Sequence, residues 1–241
     1  MDSTAQKQLS IPAVTDQNAG VRRRLEGYQL PKYIAVEGPI GVGKTTLANR
    51  LAQTFEYPLL LEPAVENPFL DRYYREGKRH ALSTQLFFLL HRARQIADVG
   101  GPDLLGNTLV ADFLIEKDDL FAQVTLDENE YALYRQIHDN LAIESPVPDL
   151  VIYLQAPAGV LLSRIKRRGI NYEKDIGAEY LESLIRSYTE FFHFYSAAPL
   201  LVINATEIDF ANNPGHYDAL LEQILSMEGL RQYFNPNPTL L

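Results

Sequence analysis

The sequence lacks cysteine, long apolar runs and an excess of positive charge. Without cysteine there is no disulfide, thiol nucleophile or cysteine metal site, which fits a reducing compartment. No apolar run approaches the ~20 residues of a transmembrane helix. The formal net charge of −9 disfavours a nucleic-acid partner. The five histidines show no metal-ligand spacing, and the N-terminus has no apolar signal-peptide core. We therefore predict a cytoplasmic protein without a membrane partner.

The pattern along the 241 residues predicts one α/β domain. Residues 1–27 are polar and aperiodic, which predicts a disordered tail, and residues 28–241 form the predicted domain. Short apolar segments, which predict buried strands, alternate with helical spacing. They are residues 32–37, 58–62, 107–113, 148–156 and 199–205. We expect a five-stranded parallel sheet with helices on both faces, a three-layer sandwich.

The segment "GPIGVGKT", residues 38–45, fits the phosphate-binding pattern G-x-x-x-x-G-K-[ST]. It follows a predicted strand and opens a predicted helix, so backbone N–H groups and the helix N-terminus can face phosphate oxygens. Lys44 can reach the outer phosphates, and the Thr45 hydroxyl can bind Mg²⁺. The residues expected to bind the nucleotide are Gly38, Gly41, Val42, Gly43, Lys44, Thr45 and Thr46.

Two carboxylates follow neighbouring predicted strands. Asp112 ends the apolar run "TLVAD", at the sheet edge where ligands bind in open α/β folds, and is the predicted metal ligand. Its alternative role is a helix N-cap. Glu62 ends "PLLLE" and is the predicted general base for a hydroxyl acceptor. Its alternative role is a plain end of the strand.

Other phosphate-binding classes fit less well. A regulatory GTPase would have an Asn-Lys-x-Asp motif, which the sequence lacks. Strand-separating or remodelling ATPases are usually larger or basic. A nucleoside monophosphate kinase, such as thymidylate kinase, would need extra arginines rather than the carboxylate of "LLLEPA". A small phosphotransferase with a hydroxyl acceptor is the favoured interpretation.

Beyond these motifs, the chain resembles the deoxyribonucleoside kinase family, in its bacterial deoxyadenosine and deoxyguanosine branch, over about residues 30–230. The similar segments are "EGPIGVGKTT", "LEPAVENPFL", "YYREGKRHALSTQLFFLLHR" and "RIKRRGINYEKDIGAEYL". The last is similar to that family's arginine-bearing lid. The resemblance implies phosphorylation of a deoxyribonucleoside 5′-hydroxyl with ATP and Mg²⁺, and a helical homodimer. We expect the dimer interface on helices 117–144 and 177–196.

The resemblance also implies roles for single residues, each of which could instead be an ordinary structural residue. Tyr74 and Glu173 would contact the sugar 3′-hydroxyl. Gln85 would pair with the base, and a purine is favoured. The remaining cations are Arg92, which would support the base site, and Arg164 and Arg168, which would clamp the transferred phosphoryl group.

One segment departs from the family pattern. The family usually has an acidic residue, Arg and Ser where this chain has Asp112, Phe113 and Leu114. The base-contacting aspartate is then Asp118, with the neighbouring positions 117 and 119 as alternatives. The missing arginine keeps a second hypothesis open, a nucleotide-binding regulator with impaired catalysis.

Overall fold

The computed structural model describes residues 25–99, 108–141, 143, 146–210 and 213–235. The predicted tail, residues 1–27, lies outside the described residues except for 25–27. Two other predicted elements are described only in part. The predicted dimer helix 117–144 includes the undescribed residues 142 and 144, and the third predicted strand, 107–113, includes the undescribed residue 107.

Within the described residues, one six-stranded parallel sheet forms the centre of the fold. Its order is β2-β3-β1-β4-β5-β6, and every neighbouring pair is parallel. The predicted parallel α/β sheet is confirmed. The strands are β1 (Tyr33–Glu37), β2 (Leu59–Leu60), β3 (Leu109–Ala111), β4 (Leu150–Gln155), β5 (Leu200–Asn204) and β6 (Arg231–Phe234).

The predicted number of five strands was wrong, because β6 adds a sixth. It pairs with β5 at one edge of the sheet. Its residues "RQYF" are half-buried or exposed, whereas β1 and β3 are buried throughout. A half-exposed edge strand needs no continuous apolar run. The prediction of the other strands depends on such runs, so β6 has no matching signal in the sequence.

Helices connect successive strands and cover both faces. The bounds are α1 (Lys44–Phe55), α2 (Leu70–Glu76), α3 (Ala81–Val99), α4 (Lys117–Thr125), α5 (Glu128–Leu141), α6 (Ala158–Arg168), α7 (Ala178–Phe194) and α8 (Pro214–Leu225). Short 3₁₀ turns cover Ala64–Glu66, Gly77–His80 and Asn171–Glu173. Within the described residues, no helix is both long and apolar enough to span a membrane.

Side chains of β1 alternate between two separate cores. Ile34 and Val36 pack with α1, α6 and α8, whereas Tyr33 and Ala35 pack with α4 and α7. This alternation, with both faces buried, explains why the strand is apolar from Tyr33 to Val36, before the buried carboxylate of Glu37. The result is the predicted three-layer arrangement.

The turn after β1 depends on glycine at Gly38. Its φ is +149°, and an added Cβ would lie 2.5 Å from the Leu154 carbonyl oxygen of β4. At Gly41, φ is +83° and a Cβ would lie 2.8 Å from Cγ1 of Ile165 on α6. The phosphate-binding turn is therefore pressed against both the sheet and the helix that leads to the predicted lid.

The first prediction follows from the contact at Gly38. Gly38→Ala should lower the free energy of unfolding by about 1–3 kcal/mol, because the methyl group meets backbone that cannot move aside. Chemical denaturation measures the change. Gly177→Ala is the matched control, since a Cβ there would have nothing within 4 Å. Equal stability of the two variants would contradict the close contact at Gly38.

Candidate active site

Asp112 lies at the carboxyl edge of the sheet, between the ends of β1 and β2. Its Oδ2 accepts the Thr45 hydroxyl at 2.6 Å, and its Oδ1 accepts the backbone N–H of Glu62 at 2.7 Å. Because β3 lies between β1 and β2, a carboxylate that follows β3 can reach both neighbours. Asp112 thus joins the phosphate-binding loop to the predicted general base.

The donor set at Asp112 fits a magnesium ion. Burial raises the pKa of Asp112, the Thr45 hydrogen bond opposes this, and the charge of Glu62 raises it further. A buried carboxylate beside a hydroxyl supplies the hard oxygen ligands that Mg²⁺ prefers. In the described ranges, no group of three or more His, Cys, Asp or Glu could hold a metal by itself. That is expected where substrate phosphates complete the coordination.

Lys44 folds back on the loop that precedes it. Its Nζ donates to the carbonyl oxygens of Gly38 at 2.8 Å and Pro39 at 3.4 Å. Burial and the nearby Lys117 cation lower the pKa of Lys44, and the surrounding carboxylates oppose them. A phosphate ligand would replace neutral carbonyls by charged oxygens, so Lys44 is placed to gain by binding one.

Glu62 lies between two cations. Its Oε1 pairs with Arg92, and its Oε2 accepts from Lys117 Nζ at 3.0 Å. Burial alone would raise the pKa of Glu62, but the charges of Lys117, Arg92 and Lys44 outweigh burial and hold this pKa at about 2. The carboxylate is therefore ionised throughout the physiological range and available as a hydrogen-bond acceptor.

Arg92 and Asp118 form a buried ion pair beside Glu62. Both are almost fully buried, at 2% and 3% exposure. Asp118 Oδ2 is buried without a hydrogen-bond partner among the described residues. Phe113, at the position of the family departure, is fully buried, and its ring centroid lies 5.4 Å from the Arg92 guanidinium carbon. The departure thus places an aromatic ring under the cations.

A cavity that is partly open to solvent adjoins these groups on the side of α2, α3 and α4. Gln85 donates from Nε2 to the Thr125 hydroxyl at 3.1 Å, inside the cavity wall. Tyr74 and Tyr172 lie nearly parallel, with ring centroids 6.5 Å apart. The cavity brings together most of the predicted acceptor and catalytic residues, namely Gly41, Lys44, Thr45, Glu62, Tyr74, Gln85, Arg92, Asp112, Asp118, Arg168 and Glu173.

Arg168 and Glu173, predicted for different ligands, pair with each other. Arg168 Nε donates to Oε2 at 3.0 Å, and Nη2 donates to Oε1 at 2.6 Å. The helix α6 ends between them at Gly169, whose φ is +70°, so the chain turns back sharply. Arg168 is 43% exposed at its side chain and Glu173 is 8% exposed, so the arginine is the one that can move.

Arg164 lies one turn earlier and faces backbone oxygens. Its guanidinium donates to the carbonyls of Val42 at 3.1 Å, Ala205 at 2.7 Å, Thr206 at 3.3 Å and Ile208 at 3.1 Å. These contacts join the phosphate-binding loop to the segment after β5. The clamp on a phosphoryl group remains a prediction for this residue.

A wider groove opens on the other side of the phosphate-binding loop. Its volume is about 620 Å³, against about 130 Å³ for the cavity lined by Glu62. The groove is lined by four of the predicted nucleotide-binding residues, by Arg164 of α6 and by the segment after β5. These residues are Gly41, Val42, Gly43, Thr46, Arg164, Thr206, Ile208 and Phe210. Two compartments thus meet at Gly41.

Several groups of the site were missed by the sequence analysis. Phe88 and Phe121 line the cavity, and Lys117 contacts Glu62. Glu37 is fully buried and accepts from Gly38 N–H and Tyr188. In the sequence, the aromatic residues cannot be told from core residues. Lys117 was considered only as an alternative for the base contact.

Comparison with known proteins places the chain among nucleoside kinases. The family model described as deoxynucleoside kinase matches residues 34–227. The chain is 36% identical over 197 residues to the deoxyguanosine kinase of Bacillus subtilis (strain 168), which covers 80% of this chain and 95% of that protein. It is 33% identical over 192 residues to the deoxyadenosine kinase of Dictyostelium discoideum, covering 77% and 76%.

Solved structures agree with this relationship. The deoxyadenosine kinase from M. mycoides with bound dATP matches with a TM-score of 0.70 and 28% identity, over 80% of this chain and 98% of that chain. The same kinase with bound dCTP matches with a TM-score of 0.68. Because the family model spans the chain from β1 to the end of α8, this protein belongs to the deoxynucleoside kinase family.

Proposed function

We propose that this protein transfers the γ-phosphoryl group of ATP to the 5′-hydroxyl of a deoxyribonucleoside, with a purine preferred. The observation that carries the proposal is the position of Glu62. Glu62 lines the cavity, and its backbone is joined through Asp112 to Thr45 of the phosphate-binding loop. A hydroxyl held by Glu62 would therefore lie next to the donor phosphates.

The charges around the cavity favour an uncharged acceptor. Its lining has four carboxylates and four cations, and three of the cations already pair with a carboxylate. Only Lys44, which belongs to the phosphate-binding loop, has no carboxylate pair among the described lining residues. A monophosphate acceptor would have to displace existing pairs, so a nucleoside monophosphate kinase is the weaker alternative.

The groove is the proposed donor site. Backbone N–H groups of the loop and Lys44 would hold the phosphates, and Thr45 and Asp112 would hold Mg²⁺. The bound ion would neutralise charge on the donor phosphates. Arg168 lines both compartments and is the proposed cation for the transferred group. Arg164 orders the donor site through its carbonyl contacts.

The acceptor would lie in the cavity with its sugar between Tyr74 and Glu173. Gln85 and Asp118 would pair with the base, since an amide both donates and accepts while the unpaired carboxylate oxygen accepts. Arg92 holds Asp118 in place. Phe88 and Phe121 provide apolar surface for the base.

The alternative of a catalytically impaired regulator is disfavoured by the intact arrangement. Lys44, Thr45, Glu62 and Asp112 all line one cavity. Transfer of phosphate to any nucleoside in a single turnover would exclude it. We propose the cytoplasm as the location, where ATP is available.

Replacing the base tests the proposed reaction directly. Glu62→Gln should lower turnover by about 10²–10⁴-fold, the usual range for a positioned general base. Nucleoside binding should persist, because the amide keeps the shape. Steady-state kinetics and equilibrium binding measure the two effects. Glu66→Gln is the control, since Glu66 is exposed and does not line the cavity. Activity within a few-fold of the parent protein would mean that another group holds the hydroxyl.

The acceptor preference is tested with a panel of the four deoxynucleosides and their monophosphates. A purine deoxynucleoside should give the highest kcat/KM, and the monophosphates should be inactive as acceptors. A pyrimidine in first place would refute the purine preference.

Gln85→Ala should lower kcat/KM for the nucleoside by ~10- to 100-fold, since an unpaired polar group costs about 1–3 kcal/mol. ATP affinity should stay unchanged. The exposed Gln53→Ala is the control. An equal loss of nucleoside affinity and ATP affinity in this variant would mean that Gln85 is a structural core residue.

We also propose a homodimer through the long helices. Leu90, Leu133 and Leu141 on α3 and α5 are 51%, 45% and 36% exposed, and Phe194 at the end of α7 is 75% exposed. Large exposed apolar side chains on neighbouring helices favour association. Light scattering at micromolar concentration should give twice the chain mass, and Leu133→Asp should shift the mass toward the monomer. A monomeric parent protein contradicts this proposal.

A further inference from the structure

Lys117 is a buried cation at the first residue of α4. Its exposure is 2%, and its Nζ lies 3.0 Å from Glu62 Oε2 and 3.8 Å from Glu37 Oε2. Two physical effects oppose a cation here, because burial removes its water and the helix N-terminus has a positive dipole end. The two carboxylates must outweigh both effects. The fold thus buries the Lys117 cation at the edge of the cavity, although its desolvation is energetically unfavourable.

Glu37, on one side of Lys117, is a fixed carboxylate. Its Oε1 accepts from Gly38 N–H at 2.9 Å and from the Tyr188 hydroxyl at 2.8 Å, and its Oε2 accepts from Leu114 N–H at 2.6 Å. It is fully buried and ends β1. Because three donors hold this carboxylate at the start of the phosphate-binding loop, Glu37 can fix the position of the Lys117 ammonium.

Glu62, on the other side, is less constrained. Its side chain is 20% exposed and lines the cavity. Arg92, its other partner, is shared with Asp118. Lys117 therefore connects the Glu62 carboxylate to the phosphate-binding loop, because it contacts Glu62 and also lies beside Glu37, which accepts from Gly38 N–H. Each Glu62 oxygen keeps a second lone pair, so both contacts leave room for an acceptor hydroxyl.

We propose that Lys117 is a positioning residue for phosphoryl transfer: anchored beside Glu37, its ammonium holds the Glu62 carboxylate in the orientation that receives the acceptor hydroxyl. The inference rests on the proposed function, because it assigns Lys117 a role through Glu62. It concerns the reacting geometry rather than substrate binding. The purely structural alternative is a core ion pair that stabilises α4 against β1.

The experiment compares Lys117→Met, Lys117→Arg and the parent protein with ATP and the best deoxynucleoside. The single-turnover transfer rate should fall by ~10- to 100-fold in Lys117→Met, because Glu62 loses its orientation. The dissociation constants of nucleoside and ATP should change by less than about threefold, since Lys117 is not their proposed ligand. Lys117→Arg, which keeps the charge, should give an intermediate rate. Lys78→Met, at an exposed lysine outside the cavity, should leave the rate unchanged.

A double-mutant cycle with Glu62→Gln separates positioning from stability. If Lys117 acts through Glu62, adding Lys117→Met to Glu62→Gln should lower the rate by less than about threefold. Multiplying losses would overturn the proposal, as would a parent-like rate in Lys117→Met or parallel losses of both affinities. If Lys117→Met does not fold, Lys117→Arg decides by the same cycle. Failure of the parent protein to phosphorylate any nucleoside would refute the proposed function, whereas an active parent with an inactive Glu62→Gln and a parent-like Lys117→Met refutes this inference alone.

Discussion

The Asp112 carboxylate is the contact on which the geometry of the site depends. One oxygen accepts from the Thr45 hydroxyl on the side of the proposed donor groove, and the other accepts from the Glu62 backbone on the side of the proposed acceptor cavity. Asp112 can reach both because β3 lies between β1 and β2, so the strand order is itself part of the active-site geometry. One short, buried side chain therefore sets the spacing between the proposed donor and acceptor sites.

The chemistry required of this arrangement is modest. Phosphoryl transfer proceeds largely through a loose transition state, so catalysis depends on positioning and on charge stabilisation more than on removing a proton early. A carboxylate with a pKa of about 2 is a weak proton acceptor but a constant hydrogen-bond acceptor. The cations that keep the pKa of Glu62 low also keep its carboxylate ionised. This fits the proposed role of Glu62, which is to orient the hydroxyl while the phosphoryl group leaves the donor.

The sequence was most informative where chemistry and local structure coincide. Buried parallel strands have continuous apolar segments, and residues just after them share one sheet edge, which predicted that Glu62 and Asp112 lie near Lys44. The half-exposed β6 lacked such a segment. Side-chain pairing was also beyond reach: no pattern in "DFLIEKDD" tells that Lys117 turns toward Glu62 or that Phe113 packs beneath the cations. Those contacts depend on how α4 packs in three dimensions.

The balance of four carboxylates and four cations in the cavity lining has a consequence for turnover. A neutral nucleoside enters without disturbing that balance. After the proposed transfer, the acceptor would have a phosphate of about −1.5 to −2 charge at pH 7 beside Glu62 and Asp112. Three of the cations already have carboxylate partners, so the new phosphate would compete with those carboxylates for the same cations. A lining that is balanced in charge around the proposed neutral substrate would thus carry an excess of negative charge around the product, and this difference would favour release of the product.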